Sequence, residues 1–321
     1  MKTLDKLGVC FVAASTVLCL SARAEAQHED FQQVPLPGEL PSGVTAAQAQ
    51  KLQAIVDEFR FLEPLVVSKL GDDLYLAKGG ADNNAPNAGF VIGRAGVIFV
   101  NNKNSVNAQK AVLAEIAKIS PKPVIATILL HSEHESGIAA LPAGLTIIAH
   151  QNARHRMEES TARDKVPPAY FPTKTVGNDE TTTIDGVRIR HLQFAPGATD
   201  SDLIAYFPDQ KVAFASSALV MNFPLASTVI HPELGGSVRG WIETAQALLA
   251  LDAHTYVPDH GGVLTKDDLR TKLAFVQDRW NKVKAMVAKG QSLEQVKAAM
   301  PGPPDRDPTT LESIYAEVKS K

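Results

Sequence analysis

From residue 45 onward, apolar positions follow two rhythms, one with the period of a helix and one with the short runs of buried strands. Thr45 and Gln48 have the spacing of a capping box, and Leu52, Ile55, Val56 and Phe59 then fall at i, i+3, i+4 and i+7. This predicts a helix within 44–64. Short apolar runs follow at 65–67, 74–76, 90–92 and 97–100, divided by turns rich in Gly, Asp and Asn, and they predict strands. A helical pattern at 108–119 leads into the uninterrupted run 124–130, a buried strand that ends on His131-Ser132-Glu133-His134. The run 145–149 predicts another strand, and 152–160 a helix. The second half repeats this order, with strands at 187–191, 203–207, 212–215 and 255–257 and helices at 238–251 and 266–288. Leu269, Leu273, Val276, Trp280, Val283 and Val287 lie along one face of the last helix. Ser292 with Gln295, and Thr309 with Glu312, mark two further helix starts.

Hairpins alternating with helices imply sheets covered by helices, an α/β architecture. In such folds ligands gather just beyond the C-terminal ends of strands. His131, Glu133, His134 and His260 all occupy such places, as do the 196–202 turn and Ser216-Ser217.

Composition narrows the class of partner. The 321 residues are 45% hydrophobic and 21% charged, which suits a globular chain with a substantial core. A net charge of −3 without a Lys/Arg-rich block argues against a nucleic-acid partner, which would need phosphate neutralisation. Lys2 and Lys6, the apolar run 7–20 and Ala24-Glu25-Ala26 predict a signal peptide over 1–26. Its apolar run is too short to favour a spanning helix, so export to the periplasm or the medium is expected, with no transmembrane segment after cleavage. Cys10 and Cys19 both fall inside this segment, leaving the mature chain without a thiol. Pro35, Pro37 and Pro41 make 27–43 an extended tether.

Gly89-Phe90-Val91-Ile92-Gly93 is followed by Gly96-Val97-Ile98-Phe99-Val100, and further on by Leu145-Thr146-Ile147-Ile148-Ala149-His150. Pro196-Gly197-Ala198-Thr199-Asp200-Ser201-Asp202 and Val257-Pro258-Asp259-His260-Gly261 come later in the chain. In these segments and their order the region 65–300 resembles the metallo-β-lactamase fold superfamily, with 301–321 left as a C-terminal tail or helix. The resemblance implies a four-layer αββα sandwich and a hydrolase site holding one or two zinc or iron ions.

The ligand pattern that the resemblance implies is incomplete here. The superfamily's first motif is His-x-His-x-Asp-His, and two registers fit this sequence. A gapless register puts Leu129 at the first His, His131 at the second, Glu133 at the Asp and His134 at the last His. A gapped register puts His131 at the first His and Glu133 at the second, deletes the Asp and keeps His134. Both leave His131, Glu133 and His134 as candidate metal ligands. Downstream, Ala198 stands for a metal-binding His and Ser217 for the bridging Asp, while His260 matches the last motif His. Alanine offers no lone pair, and two cations without a bridging carboxylate repel each other.

Two functions stay open on these residues. One is a hydrolase of ester- or lactone-like acyl substrates with one zinc or iron ion held by His131, Glu133, His134 and His260, of which Glu133, His134 and His260 serve catalysis. The other is a catalytically silent relative that holds no metal and binds a small molecule or a protein partner in the same pocket. The sequence carries no signal for oligomeric state.

Overall fold

Thr45 opens the first helix as its spacing dictates. Its Oγ1 accepts from Gln48 N at 3.3 Å, and Gln48 Oε1 accepts from Thr45 N at 2.9 Å, which opens α1 (Ala46–Asp57). The computed structural model describes residues 38–57, 64–80, 86–132, 136–159, 167–216, 219, 225–300 and 308–320. The signal-peptide and tether expectations, as well as Glu133, His134 and Ser217, lie outside the described residues, apart from 38–43 of the tether.

The first sheet carries β1 (Val66–Gly71), β2 (Leu74–Lys78), β3 (Ala88–Ile92) and β4 (Val97–Val100) as an antiparallel meander. After α2 (Val106–Ile119), it continues in parallel through β5 (Val124–Ile128) and β6 (Thr146–His150). It then passes α3 (Gln151–Glu158) to reach β7 (Lys174–Val176). The second sheet is built from β8 (Asp179–Ile184), β9 (Val187–Leu192), β10 (Ile204–Phe207) and β11 (Val212–Ser216). Beyond α4 (Val238–Ala250), β12 (Thr255–Pro258) joins β11 in parallel, and β13 (Leu264–Thr265) closes the edge. The helices α5 (Lys266–Ala288), α6 (Leu293–Ala299) and α7 (Pro308–Lys319) follow.

Alternation along the strands explains the layering. Leu74, Val91, Ile98, Val100, Ile128 and Ile148 face Ile189, Ala205, Phe207, Val212, Phe214 and Val257 across the gap between the sheets. The opposite face of the first sheet sends Phe90 and Phe99 against Val112 and Ile116 of α2, and Ile147 and Ala149 against Ala153 and Met157 of α3. On the far side Tyr256 of β12 hydrogen-bonds Leu248 O of α4 at 3.1 Å, and α5 packs on β12 and β13. The result is the four-layer αββα sandwich that the sequence predicts. Both α1 and α7 pack on α5, and Leu40–Lys321 forms one unit.

Three local expectations change. The strand expected at 124–130 ends at Ile128, because Leu130 O turns away to accept Leu203 N of the second sheet at 2.7 Å. β8 escaped the periodicity because Asp-Glu-Thr-Thr-Thr-Ile is polar, yet its β-branched threonines pair along β9 from end to end. α7 begins at Pro308, whose fixed φ suits a first helical turn, so Thr309 is not the cap expected of it. The box at Ser292 and Gln295 forms as expected, and a further one forms at Thr265 and Asp268.

Candidate functional site

The site is assembled where the two sheets meet at the C-terminal ends of β5 and β12. Leu129 N still bonds Ile148 O at 2.8 Å, and the Leu129 side chain packs in the outer apolar layer with Ile138, Leu141 and Ile147. Leu130 faces the opposite way, into the gap between the sheets. His131 follows, buried, with Nε2 at 3.6 Å from Asp259 Oδ1. His260 approaches the same carboxylate from β12, its Nε2 at 3.2 Å from Oδ2. Two imidazoles carried by different sheets therefore flank one buried carboxylate.

Asp259 is the centre of this arrangement, and the sequence reading did not select it for a role. Burial favours its neutral form, but His260 and His131 overcome that and hold the carboxyl well below its ordinary range. Asn101 adds a hydrogen bond from Nδ2 to Oδ1 at 2.8 Å. Asn101 directly follows β4 with φ of 60°, a left-handed conformation that asparagine tolerates better than most residues. Asn87 donates its backbone N–H to Asp259 O, and its side-chain amide donates to Pro258 O and Gly261 O, each at 3.0 Å.

Lys103 is a second residue that sequence reasoning missed. Its stem is fully buried, and its ammonium donates to Ala77 O, Gly79 O and Pro86 O at 2.8, 2.9 and 2.5 Å. Burial lowers its pKa to about 7, with Asp259 pulling in the opposite direction. Three carbonyl acceptors match the three hydrogens of the charged form. The one available signal was position: 101–104 reads Asn-Asn-Lys-Asn directly after an apolar strand, where polar residues at sites collect.

The turn at 196–202 closes on itself. Thr199 donates N–H to Asp202 Oδ2 at 3.1 Å and Oγ1–H to Oδ1 at 2.8 Å, and Thr199 Oγ1 lies 2.8 Å from Ser201 Oγ. Ser201 Oγ in turn lies 3.1 Å from Ser132 Oγ, linking the turn to the residue after His131. Burial raises the pKa of Asp202 to about 6 against these donors and His131. Asp200 instead holds Arg156 through Oδ1 at 2.8 Å. The turn seats tightly on the start of α4: a Cβ at Gly236 or Gly240 would lie within about 2 Å of Ala198 O or Pro196 O. Ala198 presents only a buried methyl here.

Among the described residues, the remaining histidines serve local structure. His150 caps α3 by accepting Asn152 N at 3.3 Å. His191 meets Thr182 Oγ1 at 2.8 Å, and burial holds its pKa down to about 4. His155 and His254 are exposed beside Glu159 and Asp252, and His231 sits 3.2 Å from Glu233.

Ala198 contributes no lone pair, the polar groups beside it are bonded to one another, and Ser217 brings no carboxylate. Among the described residues, no three His, Cys, Asp or Glu side chains form a group that could hold a metal. His131 and His260 aim Nε2 at opposite oxygens of Asp259 rather than at a common point. Glu133 and His134, the other two candidate ligands, follow His131 in sequence and lie outside the described residues.

Two facing sheets, helices on both outer faces and a polar site at the strand ends define the metallo-β-lactamase fold, and this chain carries it. It superposes on a metallo-β-lactamase from Pontibacter korlensis with a TM-score of 0.55 and 16% identity, over 67% of this chain and 100% of that one. The stereoselective inverting sec-alkylsulfatase Pisa1 from Pseudomonas sp. gives 0.61 and 15%, over 98% of this chain and 63% of that one. In sequence, the chain is 26% identical over 212 residues to a linear primary-alkylsulfatase of Pseudomonas sp. (strain ATCC 19151). That match spans 52% of this chain and 39% of the alkylsulfatase. No protein-family model matches the chain. Among the described residues, no helix is long and apolar enough to cross a membrane.

Proposed function

We propose that the chain is an exported hydrolase of ester-like substrates, acting in the periplasm or medium with a single zinc or iron ion held by His131, Glu133, His134 and His260. The observation that carries this reading is the approach of His131 and His260, from different sheets, to the two oxygens of Asp259. Metal-binding imidazoles characteristically give their other N–H to a carboxylate, which fixes ring and tautomer. With Nε2–H of His260 donated to Asp259, its lone pair is on Nδ1.

When bound, an ion at this place supplies a water of lowered pKa and polarises the ester group. The chain's own contribution is positional. Asp259 orients His260, Asn101 and Asn87 orient Asp259, and the closed 196–202 turn keeps its polar groups out of the reaction. Acyl esters follow from the fold resemblance, and sulfate esters are added by the similarity to alkylsulfatases.

A favoured second reading is a metal-free binding protein, because Asp259 is already balanced by the chain's own donors. Hydrolysis of p-nitrophenyl acetate and p-nitrophenyl sulfate under zinc or iron supply separates the two. The hydrolase reading expects turnover that a chelator removes, and that falls at least a hundredfold in both His134→Ala and His260→Ala. Turnover surviving in both variants defeats it, and no turnover of any ester probe supports the binding protein.

A further inference from the structure

We propose that Asn87 is the positioning residue of this site, carrying the geometry of the first sheet across to the turn that presents His260. This rests on the proposed function only in taking His260 as a site residue.

Asn87 directly precedes β3, whereas Asp259 and His260 follow β12 in the other sheet. Nothing in strand pairing fixes these two sheets relative to each other, because they share no ladder. Beside the bond from Leu203 N to Leu130 O, Asn87 adds a further tie between them, at the turn that carries His260. Both of its amide hydrogens are spent on the 258–261 turn, one on Pro258 O and one on Gly261 O, so they bracket His260 on either side. Its backbone N–H reaches Asp259 O, and its backbone O accepts from Asn101, whose other amide hydrogen goes to Asp259 Oδ1. Two asparagines and one aspartate thereby form a closed polar cycle that spans both sheets. Asn87 is 3% exposed, so water does not compete for these bonds.

The brace is anchored from behind. Lys103 Nζ binds Pro86 O, the carbonyl of the residue before Asn87, together with Ala77 O at the end of β2 and Gly79 O. A third support arrives from α1, where Ile55 O accepts Gly262 N at 3.1 Å. A buried amide whose donors are both used has one orientation, since any rotation strands two hydrogens and two carbonyls. The direction of His260 is therefore set by Asn87 even in the metal-free chain.

The test uses the full chain and reads the His260 imidazole ¹⁵N signals in metal-free protein, assigned by their loss in His260→Gln. Zinc affinity is measured in parallel with zinc salt alone. Asn87→Ala is expected to move and broaden the His260 signals and to weaken zinc binding about tenfold, as loss of a group orienting a ligand does. Asn87→Ser, which keeps one donor, is expected to give an intermediate change and serves if Asn87→Ala does not fold. Thr182→Val, which removes a buried hydrogen bond remote from the site, provides a destabilised control expected to leave both readouts unchanged. Unchanged His260 signals in Asn87→Ala, or in Asn87→Ser should that be the folded variant, overturn the proposal. If wild-type protein takes up no zinc, the metal reading fails, and the imidazole signals still decide the role of Asn87.

Discussion

Asp259→Ala is expected to destabilise the fold by about 3–5 kcal/mol at neutral pH, the cost of removing one partner from a buried charged network. The carboxylate accepts from Asn101 and lies against both His131 and His260. Without it, the Asn101 amide loses one acceptor, both imidazoles lose the carboxylate beside them, and the cycle of Asn87, Asn101 and Asp259 opens. The sign of the pH dependence follows from the depressed carboxyl. The contribution of Asp259 is fully present above an unfolded carboxyl's 3.8 and is lost as pH falls through its lower folded value. The gap between wild type and Asp259→Ala therefore narrows in strong acid. Urea unfolding at pH 7 and below pH 3 measures it, and a constant gap across that range would show that the carboxylate is not held in its charged form.

A second large effect is expected at Leu129. In the gapless register this residue stands where the superfamily carries its first metal-binding His, which invites Leu129→His as a repair. The structure gives the opposite expectation. Leu129 is fully buried among Ile138, Leu141, Leu145 and Ile147, on the face away from the gap between the sheets. An imidazole there loses the apolar contacts of leucine and buries a polar ring among side chains that cannot hydrogen-bond to it. Together these cost about 3–5 kcal/mol. Chemical denaturation with and without zinc checks this. A variant of near wild-type stability that gains zinc affinity would place residue 129 in the site.

The layers were legible because each rests on a local pattern. Phe90 and Phe99 on one side of their strands, with Val91 and Ile98 on the other, specify strands buried on both faces. Thr45, Ser292 and the α5 stripe specify helices. His131 and His260 were legible as residues that follow an apolar strand, and the structure brings both to the carboxylate of Asp259. Asn87, Asn101 and Lys103 were not, for a physical reason. Their partners lie far away in sequence, as with Asn87 and Gly261, and no periodicity encodes a polar bond across that distance. Lys103 in particular sits in an asparagine-rich turn whose composition suggests solvent, whereas three carbonyls bury it. Asp259 was visible only as the neighbour of His260, and it is the carboxylate that joins both histidines.

Metal content of the purified chain, supplied with both zinc and iron and never exposed to chelator, tests the central claim most directly. The account predicts about one ion per chain, lost in His260→Ala, as expected of an ion completed by protein ligands and water. Protein that stays metal-free at micromolar supply would contradict it, and would leave the carboxylate and its surrounding donors as the framework of a binding pocket.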